Sequence, residues 1–298
     1  MLSTFIKPTL LALALTASGY SLAAPASVAV APQYDTTHVY VQPAEVDRFV
    51  QAFLATFGGK STPQVVVNVL PVPSSTTSQL LQTPVGTVSL FGFSTPVPYP
   101  FGSERNGYLV RDMDEALAAA KASGASVLVQ DFPDPIGRDA VIQWPGGVNL
   151  QLYWHTRTPN YTPFAHVPEN RVYVAADRAD AFVKAFLAFS HGRLESDDRH
   201  AAGEQVGQPG KSFRRLSLNS DFGKMVVLAT DGHLPYPYGH ENTGYEVDDL
   251  AATLIKAQGA GVKVLVPAAE QAGRRAALVQ FPGGYVAEIH QSTLQKKS

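Results

Sequence analysis

Apolar and polar positions follow one pattern through the first half of the chain and repeat it in the second. From His38, "HVYV" alternates polar or aromatic residues with valine, which predicts a half-buried strand. Next, Val46, Phe49, Val50, Phe53 and Phe57 recur at helical spacing, predicting an amphipathic helix over Glu45–Phe57 that Gly58 and Gly59 stop. Strands are expected around Val65–Leu70 and Thr87–Phe93. After a Pro- and Gly-rich phrase, "GYLV" reads as a strand running into a second helix. There Asp112 is a good N-cap, Glu115 completes a capping box, and Gly124 lies where a C-terminal cap belongs. Three more strands, Ser126–Gln130, Asp139–Trp144 and Val148–Trp154, close the half.

The second half writes the same order again. "HVYVQPAEVDRFVQAFLATFGG" from His38 is echoed by "RVYVAADRADAFVKAFLAFSHG" from Arg171, and "AVIQWPGGVNLQL" by "ALVQFPGGYVAEI". "PYPFGSERNGYLVRD" begins at Pro98 and "PYPYGHENTGYEVDD" at Pro235, and nine of the fifteen positions agree. Two copies of one fold explain this, with the βαβββ order occurring twice per copy and the middle strands reduced in the first half. The expected domains are 35–155 and 170–292, joined by a Pro-, Thr- and Asn-rich linker at 156–169 and followed by a tail at 293–298.

The amino-terminal stretch has its own pattern. Lys7 precedes an apolar run from Leu10 to Ala17, and Ser21, Leu22 and Ala23 end it with a small-x-small site. This is the layout of a cleaved signal peptide over 1–23, leaving a flexible leader at 24–34 and a periplasmic or secreted protein. The run falls short of the roughly 20 apolar residues that span a bilayer, so no membrane span is expected after cleavage.

A hydrophobic fraction of 45% and a charged fraction of 16% fit a soluble globular chain. A formal net charge of -2 gives no reason to expect nucleic acid or an anionic membrane as partner. The chain has no cysteine, which excludes disulfides, thiolate chemistry and Cys-ligated metals. It also lacks G-x-G-x-x-G, P-loop, G-x-S-x-G and H-E-x-x-H motifs.

A strand–helix opening, a D-M-D-E-A or D-D-L-A-A helix, G-R-x-A, P-G-G, and a last strand ending in L-Q-L or A-E-I together resemble the glyoxalase/bleomycin-resistance group. That group lies within the vicinal oxygen chelate superfamily. The resemblance covers nearly all of the mature chain, and the tandem arrangement also looks like extradiol ring-cleaving dioxygenases. It implies an α+β fold of tandem βαβββ modules, paired into two cupped domains. It also implies one divalent metal (Fe, Mn, Ni or Zn) acting as Lewis acid, held by His or Gln, His, and Glu. The corresponding positions are His38, Arg105 and Gln151 in the first copy, and Arg171, Asn242 and Glu288 in the second. Neither set is a clean His–His–Glu, and a guanidinium has no lone pair for a metal.

Strand alternation puts His38 with Tyr40, Arg171 with Tyr173, Gln151 with Tyr153 and His155, and Glu288 with His290. Arg171 and Glu288 form either a substrate clamp or an ion pair standing in for a lost metal. His240 would add an imidazole beside Glu288 and His290 and complete a metal set of unusual spacing. Glu104 and Glu241, the same letter in both copies, are expected to cap backbone donors.

Two functions follow from the resemblance. One is a metal-dependent lyase, isomerase or dioxygenase working on a small oxygenated substrate, with Glu288 catalytic. The other is a metal-free protein that sequesters a small molecule through Arg171, Tyr173, Asn242, His38, Tyr40, Arg105 and Gln151. A monomer and a homodimer are both compatible with tandem cups.

Overall fold

The computed structural model describes residues 27–30, 33, 37–69, 74–102, 104–134, 136–159, 167–231, 234–238, 242–271 and 273–293. The expected signal segment and His240 lie outside the described residues. Four modules follow one another. The first comprises β1 (Thr37–Val41), α1 (Val46–Phe57), β2 (Lys60–Ser61), β3 (Val65–Val69), β4 (Ser74–Thr83) and β5 (Gly86–Phe93). The second comprises β6 (Gly107–Leu109), α2 (Met113–Ala122), β7 (Ser126–Asp134), β8 (Gly137–Gln143) and β9 (Asn149–His155). The third has β10 (Glu169–Ala175), α3 (Ala179–Ser190), β11 (Arg193–Ala202), β12 (Ser212–Ser220) and β13 (Gly223–Thr230). The fourth has β14 (Asn242–Glu246), α4 (Leu250–Gly259), β15 (Lys263–Gln271), β16 (Arg274–Gln280) and β17 (Val286–Ser292).

The helix signals act as read. The Asp112 carboxylate accepts from Glu115 N at 2.9 Å, and Asp249 does the same for Ala252 N in the second copy. Strand β4 escaped the reading because "SSTTSQLLQT" is polar: its buried positions include Ser74, Thr76 and Gln79. The leader was expected to be flexible, but its described residues are docked. Val28 is buried, and the Gln33 amide donates to Leu109 O and accepts from Leu109 N, so the segment covers the short β6.

In the second half the two modules fuse into one eight-stranded sheet, ordered β11-β12-β13-β10-β14-β17-β16-β15. The join is the antiparallel pair β10·β14, with Arg171 opposite Asn242. In the first half the sheets β1-β5-β4-β2, with β3 also on β4, and β6-β9-β8-β7 stay separate. A backbone bond from His38 N to Arg105 O, 2.8 Å, crosses between them.

The cores do not follow the sequence halves. One joins the first module to the fourth: Phe53 meets Tyr245 at 5.6 Å and Phe281 at 5.2 Å between ring centroids. The other joins the second module to the third, where Tyr108 meets Phe222 at 4.7 Å and Trp144 meets Phe189 at 5.2 Å. Modules therefore pair one way to build cups and another way to bury their helices. Each fully buried aromatic contributes roughly 2–3 kcal/mol of transfer free energy, so these shared faces bind the halves together.

Candidate functional site

Alternation along β10 sends Val172 and Val174 into the helix-covered core and leaves Glu169, Arg171 and Tyr173 on the concave face. Strand β17 likewise buries Ala287 and Ile289 and presents Glu288 and His290 to the cup. Register sets Gly244 of β14 beside Glu288, and Ala276 of β16 beside His290. A Cβ on Gly244 would lie 3.2 Å from His290 Cε1 and 3.3 Å from the Glu169 side chain. The missing side chain leaves room for the charges above it, which explains why this glycine is repeated. Gly107 serves His38 in the first cup in the same way, at 3.1 Å from Nε2.

The charges form a closed ring. Arg171 Nη1 lies 2.9 Å from Glu288 Oε1 and 3.1 Å from Glu169 Oε1. Arg274 Nη2 lies 3.0 Å from Glu288 Oε1, and its Nη1 lies 3.1 Å from Glu169 Oε2. His290 Nδ1 adds a contact of 3.2 Å to Glu288 Oε1. All five residues are largely shielded, with Arg171 and Glu288 side chains only 4% exposed. Burial alone would push the Glu288 carboxyl up, but Arg171, the His290 hydrogen bond and Arg274 outweigh it and hold the carboxyl at about 2. Burial also opposes the charge of Arg171, yet Glu288 and Glu169 raise its pKa above the ordinary arginine value.

Tyr173 extends the polar wall, its hydroxyl accepting from Asn242 Nδ2 at 3.2 Å. Burial pushes its phenol up. On one side of the ring, Tyr238 and Gln205 close over a crevice of about 10 Å³, enough for one water. On the other side lies a cavity of about 280 Å³, lined by Arg215, Ser217, Val226, Arg274 and His290 among others.

The first cup is filled differently. The Tyr40 hydroxyl donates to Glu104 Oε1, and His38 Nδ1 lies 3.6 Å from the same oxygen. Glu104 is fully buried, and this negative neighbour, after burial itself, drives the Tyr40 pKa well up. Glu104, expected to cap backbone, instead occupies the cup, while Arg105 lies over the Tyr40 ring with Cζ 5.9 Å from its centroid. Gln151, on β9, donates its backbone N–H to Asn106 O at 2.9 Å. Phe101, the counterpart of Tyr238, packs with Val129, Val141 and Phe132.

Sequence reasoning singled out Arg171, Glu288 and His290, and these meet. It did not single out Glu169, which it placed at the end of the linker, nor Arg274 or Arg215, and it gave Glu104 a capping role rather than a place in the cup. The E-x-R-x-Y alternation from Glu169 to Tyr173 was the one signal available for Glu169.

No protein-family model matches the chain, and no curated protein does. Solved structures do. A triple mutant of 4-hydroxymandelate synthase from Streptomyces coelicolor superposes with a TM-score of 0.59 at 14% identity, covering 88% of this chain and 93% of that one. Catechol 2,3-dioxygenase gives 0.52 at 10% identity over 87% and 88%. The Mn(II)-bound glyoxalase from Novosphingobium aromaticivorans gives 0.53 at 12% over 88% and 82%. The fold is the one these dioxygenase, synthase and glyoxalase structures share.

A glyoxalase-like cup implies a divalent metal, and the described donors of the second cup do not fit one. Glu288, the expected carboxylate ligand, already has two guanidinium groups within 3.0 Å of Oε1. A dication there would face both at close range. Arg171 stands at the first-strand ligand position, and Asn242 is engaged with Tyr173. Among the described residues, no group of three or more His, Asp or Glu side chains is arranged to hold a metal ion.

Proposed function

We propose that this chain binds a small oxygenated organic molecule in its second cup, with arginines doing the work of charge complementarity that a metal does elsewhere in the fold. The observation that carries this reading is the Arg171–Glu288–Arg274–Glu169 ring, built on the strands that should supply metal ligands, at the edge of a 280 Å³ cavity. A volume near the lower end of ordinary ligand pockets suits a small molecule. The similar structures are named as enzymes of small oxygenated compounds, which supports the substrate class and leaves the metal-free binding role to the ring itself. Binding that survives exhaustive chelation and fails in Arg171→Ala is expected in a calorimetric screen of small oxygenated organics. About one Mn, Fe, Ni or Zn per chain retained through desalting, with binding or turnover that depends on it, would sink the reading.

The same proposal includes export. The apolar run and small-x-small site support cleavage after Ala23 and a periplasmic or secreted location. Intact mass of the protein recovered from a bacterial periplasm should match a chain starting at Ala24, and a cytoplasmic full-length product would refute it.

A further inference from the structure

The ring is neutral in its own charges: two arginines face two glutamates. A third arginine stands beside it. Arg215, on the concave face of β12, lines the 280 Å³ cavity and is only partly exposed. Among the described residues no carboxylate lies within ion-pair distance of it, and its buried Nε has no hydrogen-bond partner. Burial, Arg274 and Arg171 push its pKa down and outweigh the opposing pull of Glu169 and Glu288, so its surroundings make the charge costly.

The rest of the cavity decides what could relieve that charge. Ser217 offers a hydroxyl near Arg215, two residues along the same strand. Val226 gives the wall an apolar part, while the side chains of Leu218 and Met225, which also border the cavity, belong to the helix-covered core. Glu169 is held in the ring, and Glu195 on the rim is held by Arg193 and Asn219. Glu246 and Lys224, of opposite charge, are exposed at the mouth. The deep end of the cavity is therefore cationic and the wall partly apolar.

From this placement we infer that the second cup takes a small organic carboxylate, whose anionic end is held by the Arg215 guanidinium and whose body lies against Val226. This rests on the binding role proposed above and names the ligand class for it. A planar guanidinium accepts a carboxylate through two parallel hydrogen bonds, which an ammonium cannot reproduce. A bare inorganic oxyanion would leave most of the volume unfilled.

The test is a calorimetric comparison of acid and amide pairs, benzoate with benzamide and phenylacetate with phenylacetamide, plus inorganic phosphate, on the full mature protein. The expected result is carboxylate binding at least about 10-fold tighter than the paired amide, the value of a charge-assisted bond. Arg215→Met should abolish that preference and Arg215→Lys should weaken it. Arg215→Met should also hold or raise Tm, by about 2–4 °C, because an uncompensated partly buried cation is removed. Equal binding of acids and amides, unmoved by Arg215→Met, would overturn the carboxylate inference while leaving the cup's binding role standing. Phosphate binding as tightly as the acids would also overturn it, in favour of a simple oxyanion site. Binding of neither acid nor amide, with a retained divalent cation, would overturn the inference and the binding role together.

Discussion

Glu288 and Arg171 are isolated from water by the sheet that carries them, so removing one is unlike removing a surface pair. Arg171→Met leaves Glu288 with Arg274 as its remaining guanidinium, Glu288→Leu leaves two guanidinium groups with Glu169 alone, and each is expected to cost about 3–5 kcal/mol. The double variant Arg171→Met, Glu288→Leu leaves the Arg274–Glu169 pair intact and neutral, so it should cost less than either single change. Urea unfolding of the four proteins in a double-mutant cycle measures the difference. A second expectation concerns pH. The folded-state pKa of Glu288, about 2, lies below its ordinary value of 4.5, so its contribution is complete above pH 4.5 and is lost as the pH falls towards 2. Glu169 is shifted in the same direction: burial raises its pKa, but Arg274 and Arg171 bring it below the ordinary value. The loss attributable to Glu288 is on the order of 3 kcal/mol. Chemical-denaturation midpoints between pH 6 and pH 3 should fall in wild type and fall less in Glu288→Gln. At this scale the Arg171–Glu288 contact was readable, because the family resemblance put both at ligand positions of one cup. Glu169 and Arg274 were not readable: they are 105 residues apart and meet across β14 and β17, where Gly244 carries no side chain between them.

At the scale of elements, helices were the most legible part. Their apolar spacing and Asp caps are local, and α1 and α2 fall where the pattern puts them. Strand β4 was hidden because a buried Ser/Thr face has no apolar alternation to detect. The glycine on β14 makes an element-level prediction. Gly244→Ala places a methyl 3.2–3.3 Å from His290 and Glu169 and should displace the ring, destabilising the protein by about 1–3 kcal/mol. It should also lower affinity for any second-cup ligand, because the ring borders that cavity. Unchanged urea midpoint and unchanged binding would show that the ring has room to shift.

The whole molecule is knitted by two cores that each draw on both sequence halves. Phe53→Ala should therefore destabilise the fourth module as well as the first, by about 3–5 kcal/mol. Calorimetry should show one unfolding transition for the chain, with calorimetric and van't Hoff enthalpies in agreement. Residues 167–293 produced alone would expose Phe182, Phe186 and Tyr245 and should lack a cooperative transition. Two resolved transitions in the full chain would contradict this account.

The amino-acid sequence by itself determined the four modules apart from the polar strand β4, which the expectation of reduced middle strands in the first half left out, together with the helix limits, the duplicated Pro/Gly loop and the mismatch at the metal-ligand positions. The modules, helix limits and loop rest on periodicity and on comparison of one copy with the other, both of which are present in the linear order, and the ligand mismatch rests on the family resemblance. The tertiary structure alone decided which modules share a core, that Glu104 and Phe101 fill the first cup, and that Glu169, Arg274 and Arg215 join Arg171 in the second. Those outcomes depend on strand order and register, which bring residues of distant sequence position to 3.0–3.1 Å and leave no periodic trace.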